Sequence, residues 1–213
     1  ALEGRKTAPL ASFTVTGGSG WNIQNGTLAL QSGARVIDTG VTFEIGADLA
    51  SDGEVTLVKR GAGTLSLAGA NTATTQLVVE GGRLQPENEG AYGPVPESYK
   101  ADAIVLRNGG ALSRPYADNL TVVVGSTRGI TLDGAGALCA RGFGRLQIDA
   151  PIVGDGELQL LRQSGEILLN AANAYTGRTV LASDGTYAWG TSLRLRLGVD
   201  GALPATTTLA VQG

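Results

Sequence analysis

Apolar residues recur at every second position in short runs along the chain: Thr27-Leu28-Ala29-Leu30, Val41-Thr42-Phe43-Glu44-Ile45, Val55-Thr56-Leu57, Thr64-Leu65-Ser66-Leu67 and Leu77-Val78-Val79. Such alternation marks half-buried strands, and no helical period competes with it over a helix-length window. The pattern predicts an all-β chain. Three successive runs open at Val55, Leu65 and Leu77, so 65−55 = 10 and 77−65 = 12 residues separate their starts. Glycine supplies the punctuation between them. It makes up 33 of 213 residues, about twice the usual share, whereas proline contributes only 7.

That interval also suits a β-sandwich, and an internal repeat decides between the two. Asp52-Gly53-Glu54-Val55-Thr56-Leu57 returns as Asp155-Gly156-Glu157-Leu158-Gln159-Leu160, and Gly63 to Asn71 returns as Gly165 to Asn173, with offsets 155−52 = 103 and 173−71 = 102. A sandwich has no reason to copy its strand and turn pattern at this distance, whereas a solenoid does. The expected fold is a right-handed single-stranded parallel β-helix, one continuous unit over residues 1–213 and a fragment of a longer stack. Turns of roughly 20 to 25 residues make about nine turns, a rod of roughly 40 Å at ~4.8 Å per turn. Leu65, Leu67, Leu77, Val79 and Leu84 are expected to face inward. Gly61, Gly63, Gly81 and Gly82 turn the corners, and Asn71 and Asn173 hold backbone there.

Composition narrows the chemistry. The net charge is −3. Residues 1–106 carry seven basic against eleven acidic residues, 7−11 = −4, and residues 107–213 carry nine against eight, 9−8 = +1. No dense basic patch points to nucleic acid. The single cysteine, Cys139, reads as a buried thiol packed as a small hydrophobe. The absence of histidine argues against a transition-metal site and removes the usual base of a nucleophilic triad. No cofactor motif occurs. No apolar run reaches the ~20 residues needed to span a membrane as a helix, and any export signal is expected outside this sequence.

The repeat itself resembles the passenger-associated transport repeat of Gram-negative autotransporters. The first copy runs Gly61-Ala62-Gly63-Thr64-Leu65-Ser66-Leu67-Ala68-Gly69-Ala70-Asn71 and continues to Val79, Gly82 and Leu84; it has Ala73 where a tyrosine is usual and Thr75 where a glycine is. The second copy restores both, in Asn173-Ala174-Tyr175-Thr176-Gly177, and has Ala171 in place of the earlier glycine. The resemblance implies a passenger domain carried by type V secretion through the protein's own C-terminal membrane barrel. It implies display at the bacterial surface, tethered to the outer membrane or released. Phe13-Thr14-Val15 and Leu209-Ala210-Val211 run strand-like towards both termini, hence the expectation of further turns.

Two excursions from the rod are expected. Residues 86–102 carry Pro86, Pro94 and Pro96 with Glu87, Glu89, Glu97, Tyr92 and Tyr99, and residues 184–190 carry Tyr187 and Trp189. Tyrosine and tryptophan beside charge suit a recognition loop. The four aromatic residues are therefore the candidate interaction residues, with a host-surface protein, a glycan or a second copy as partner. No catalytic, cofactor or metal residue is assigned. The leading function is a structural stalk and interaction surface for adhesion or self-association. The alternatives are the non-catalytic stalk of a secreted serine protease, and a polysaccharide-active enzyme using acids among Glu44, Asp48, Asp52 and Glu54.

Overall fold

In the computed structural model, which describes residues 10–18, 21–116, 119–183 and 192–212, Leu65 stacks on Phe43 and is covered in turn by Leu84. The column continues through Leu112, Leu138, Leu160 and Leu181, one residue from each turn of the chain. Successive members lie 22, 19, 28, 26, 22 and 21 positions apart (65−43, 84−65, 112−84, 138−112, 160−138, 181−160). A period that varies this much while the stacking holds shows that strand register is set by the inward side chains. The corners absorb the differences in length.

All described pairings are parallel, and the chain coils into a β-helix. The first sheet has seven strands, from Ser12–Val15 to Ile152–Gly154. The second has nine, from Trp21–Ile23 to Leu209–Val211. Its nine strands are joined by eight successive turn-to-turn steps, close to the roughly nine turns expected. The third wall is discontinuous: Thr27–Ala29 pairs with Asp48–Ala50 in the early turns, and four strands from Thr121–Val124 to Arg194–Leu197 form it in the later ones. Between them the fourth turn has a 3-10 helix, Glu89–Tyr92, instead of a strand. No α-helix occurs among the described residues.

The expected inward residues Leu65, Leu67, Leu77, Val79 and Leu84 are all buried, each such side chain stabilising the fold by roughly 1.5–3 kcal/mol relative to exposure. Cys139 is buried as well. One column holds an outlier. Phe13, Ile37, Lys59, Val79, Leu106 and Leu132 stack in the first sheet, which places a lysine among apolar side chains with 1% of its surface exposed. Its ammonium escapes the apolar surroundings by turning into the adjoining corner. There it donates to the carbonyls of Arg60 (2.7 Å), Gly61 (2.7 Å) and Gly81 (3.2 Å).

The corners also explain the repeat's invariant-looking features locally. Gly82 has φ +57°, and a Cβ there would collide with the carbonyl oxygens of Gly61 and Gly63 in the turn below, so both conformation and space exclude a side chain. Asn71 is buried; its Oδ1 accepts from the backbone N–H of Thr74 at 3.0 Å and its Nδ2 donates to the carbonyl of Ala91 at 3.3 Å. Asn173 accepts from the N–H of Ile152 at 2.7 Å and donates to the carbonyl of Ala202 at 2.6 Å. Each asparagine thereby ties its own turn to a neighbour. Tyr175 is buried and hydrogen-bonds through its hydroxyl to Thr179 at 2.6 Å.

Candidate interaction surface

Between Arg83–Pro86 and Lys100–Arg107 the chain leaves the wall and forms the 3-10 helix followed by an extended loop. Asn88 starts the helix: its Oδ1 accepts from the N–H of Ala91 at 3.0 Å, while its Nδ2 donates to the carbonyl of Ala68 at 2.9 Å. Tyr92 points inward with 1% of its surface exposed, which corrects the expectation of a contact residue. It is the last residue of the 3-10 helix and joins the hydrophobic core, and burial raises its phenol pKa far above the ordinary value. The Arg128 guanidinium carbon stands 5.5 Å from the ring centroid. Arg128 also donates to the carbonyls of Tyr92 (3.4 Å), Gly93 (3.0 Å) and Pro94 (3.3 Å), fastening the base of the loop.

Beyond this anchor the loop turns outward. Pro94, Val95 and Glu97 are exposed, and Tyr99 has 46% of its surface exposed, with partial burial raising its phenol pKa. Tyr187 and Trp189 lie outside the described residues.

Three aromatic residues not singled out in the sequence, Trp21 on an early turn and Tyr116 and Phe143 further on, are more exposed than Tyr99. Tyr116 has 61% and Phe143 71% of its surface open. Both stand where the second sheet passes into the third, Tyr116 between the strands Gly110–Arg114 and Thr121–Val124, and Phe143 between Gly136–Ala140 and Arg145–Ile148. Arg114 pairs with Ala140, and Thr121 with Arg145, so the strands on either side of the two connections stack on successive turns. Arg114 is buried under this corner; its Nε donates to the carbonyl of Leu120 at 2.9 Å, and its guanidinium packs where a side chain on Gly144 would stand. The sequence signal was an aromatic bracketed by glycines, Gly142-Phe143-Gly144. Its meaning depends on which residues the solenoid stacks beneath it.

Charged side chains form rows parallel to the rod axis. On the first sheet Glu80 binds both Arg60 and Arg107, and Arg107 reaches Asp133 at 3.5 Å. Glu80 has its carboxyl pKa lowered, first by the hydrogen bond from Arg60. On the third sheet Glu166 binds Arg145 at 2.5 Å and Arg194 at 3.6 Å. On the second sheet's flank Glu157 accepts from Gln159 and Arg178, which lower its pKa.

The four acids considered for glycan cleavage are distributed differently. Glu44 accepts from Gln24 at 2.6 Å and Asp48 from the N–H of Ala70 at 2.8 Å, while Asp52 and Glu54 sit exposed at the next corner. Glu44 stands on the second sheet, Asp48 on the third wall and Asp52 and Glu54 at the corner that follows it. Among the described residues no group of three or more His, Cys, Asp or Glu side chains is placed to hold a metal ion.

Comparison with known proteins agrees with this architecture. Residues 57–85 match the model of the passenger-associated transport repeat, the stretch from the lysine-bearing strand to the Gly82 corner and the strand beyond it. Over 170 residues the chain is 34% identical to the Adhesin BmaC autotransporter of Brucella suis biovar 1 (strain 1330). The match covers 79% of this chain and 4% of the relative's length. No solved structure matches. The repeat, its position in the stacked fold and the similarity to an autotransporter adhesin together establish the chain as autotransporter passenger sequence, a parallel β-helix secreted to the bacterial cell surface.

Proposed function

We propose that this chain serves as a rigid adhesive stalk, holding contact residues away from the cell and contributing contacts of its own. The observation that carries the reading is the similarity, across most of the chain, to an autotransporter named as an adhesin. The fold supports it. The interior is filled by stacked apolar columns, leaving function to the outer walls and loops. Tyr99 and its neighbours project from a base fastened by Arg128, so the loop is presented without giving up the wall beneath it. The role is non-enzymatic, supported by the adhesin relative and by the separation of the acids. The partner in secretion is the C-terminal outer-membrane barrel of the full-length protein, as the family implies.

Beads coated with the 213-residue chain test the adhesive role directly. They are expected to settle on cultured eukaryotic cells above the level of albumin-coated beads, with soluble chain competing. Equal numbers of bound beads for the two coatings would sink it. Turnover of acidic or neutral glycans by the folded chain would count against the non-enzymatic reading.

A further inference from the structure

We propose that the corner carrying Tyr116 and Phe143 is a binding platform for an acidic polysaccharide lying along the rod axis. The inference rests on the adhesive reading for its biological use, and adds the class of ligand.

Tyr116 and Phe143 stand on the connections from the second to the third sheet in adjacent turns, two residues after Arg114 and three after Ala140, which pair with each other. Both aromatic residues are more than half exposed. Phe143 is bracketed by Gly142 and Gly144, and outside these lie Arg141 and Arg145. A protein interface would need a broader desolvated centre than two rings in a polar setting. The apolar face of a sugar ring needs only one flat aromatic side chain beneath it.

The charge beside the rings selects an anion. The outward side chains at the near edge of the third sheet are Thr121, Arg145, Glu166 and Arg194, in register from turn to turn. Arg196 follows two positions after Arg194 on the same outward side. With Arg141, four arginines outnumber two acids, Glu166 and Asp149, among the described residues of this region, and Asp149 already accepts from Gln147 and Asn170. Glu166 is shared by Arg145 and by the more distant, more exposed Arg194, which leaves guanidinium donors open to carboxylate or sulfate oxygens. Arg145 and Arg194 are two turns apart, about 10 Å along the axis at ~4.8 Å per strand, so a linear polymer can meet both.

The corner is also held in place. Arg114 joins the two connections from below, and Gly144 admits it closely only because it has no side chain. Such preorganisation limits the ordering cost of binding.

The test is isothermal titration of the 213-residue chain with heparin oligosaccharides, hyaluronan oligosaccharides and dextran of matched length. At least one acidic polymer is expected to bind, weakening as salt rises, and dextran to show no heat. Tyr116→Ala and Phe143→Ala leave the net charge unchanged, and each should weaken binding about fivefold. Arg194→Glu combined with Arg196→Glu should weaken it further. Circular dichroism melting of each variant checks that the fold is intact. Acidic-polymer affinity unchanged in both aromatic variants would overturn the platform, as would equal binding of dextran or no binding at all. A folded Phe143→Ala chain that lost bead adhesion while keeping glycan affinity would assign the corner to a protein partner instead. Glycan binding without adhesion would leave this inference standing and remove the adhesive reading.

Discussion

The Lys59 ammonium lies 2.7 Å from the carbonyl oxygen of Gly61, the first corner residue after its own strand. A side chain that begins in an apolar column thus ends as a donor to a turn that would otherwise keep buried carbonyls partly unsatisfied. Its position costs desolvation, which lowers the lysine pKa to about 8 against the opposing effect of Asp38.

That depression fixes the sign of a pH dependence. Between pH 8 and 10.5 the unfolded chain binds a proton at this site that the folded chain has released, so stability contributed by Lys59 rises with pH there. Tyr92 and Tyr175 act oppositely: burial raises both phenol pKa values, so folding is weakened once unfolded tyrosines ionise near pH 10.0. Thermal melts should therefore show stability climbing above pH 8 and turning over near pH 10, with Lys59→Met flattening the climb. A melting temperature that falls steadily from pH 8 in the parent, matching that of Lys59→Met, would refute the assignment.

Glu80 supplies the complementary acid limb. Its folded pKa lies below the ordinary value of 4.5, so its contribution is present above that value and is lost as pH falls through the folded pKa. Glu80→Gln leaves Arg60 and Arg107 without their shared anion and should destabilise by about 1–2 kcal/mol at neutral pH, with a shallower loss on acidification. Denaturant titrations at neutral and acid pH compare the two chains. Identical pH profiles would contradict the role given to this carboxylate.

Arg128 ties the 87–99 segment to the rod through three carbonyls and the Tyr92 ring. Arg128→Met should cost about 2–3 kcal/mol because carbonyls in a largely buried setting lose their donor. The loss should be local, since solenoid turns couple mainly to their neighbours. Hydrogen exchange is expected to speed up at residues 91–94 and in the adjacent turns while distant turns keep their protection. Uniform loss along the rod would indicate a different coupling.

Leu138 sits in mid-column between Leu112 and Leu160. Leu138→Ala should destabilise by about 2–5 kcal/mol, because neighbours fixed by strand register on both sides can collapse only partly into the cavity. Leu197→Ala, at a half-exposed position near the other end of the third wall, should cost far less. Chemical denaturation of the two variants measures the difference, and equal costs would contradict the packing described.

The sequence by itself determined that the chain is all-β and repetitive, because alternation and glycine spacing are local signals that survive without knowing which turns touch. It also identified the corner asparagines and the leucines of the first repeat, because the repeated motif marks their positions even though their partners lie in neighbouring turns. The direction of Tyr92 was decided only by tertiary structure: the 3-10 helix ends with its ring in the core, and Arg128, 128−92 = 36 positions away, packs over it. The platform of Tyr116 and Phe143 was equally invisible in one dimension. Turns of 26 and 24 positions (140−114 and 145−121) pair the strands that flank those two connections, and an irregular period gives no sequence rule for which exposed residues will share a face. Strand character is a property of neighbours along the chain, whereas a solenoid's outer surface is assembled from residues one turn apart, and only the folded register says which these are.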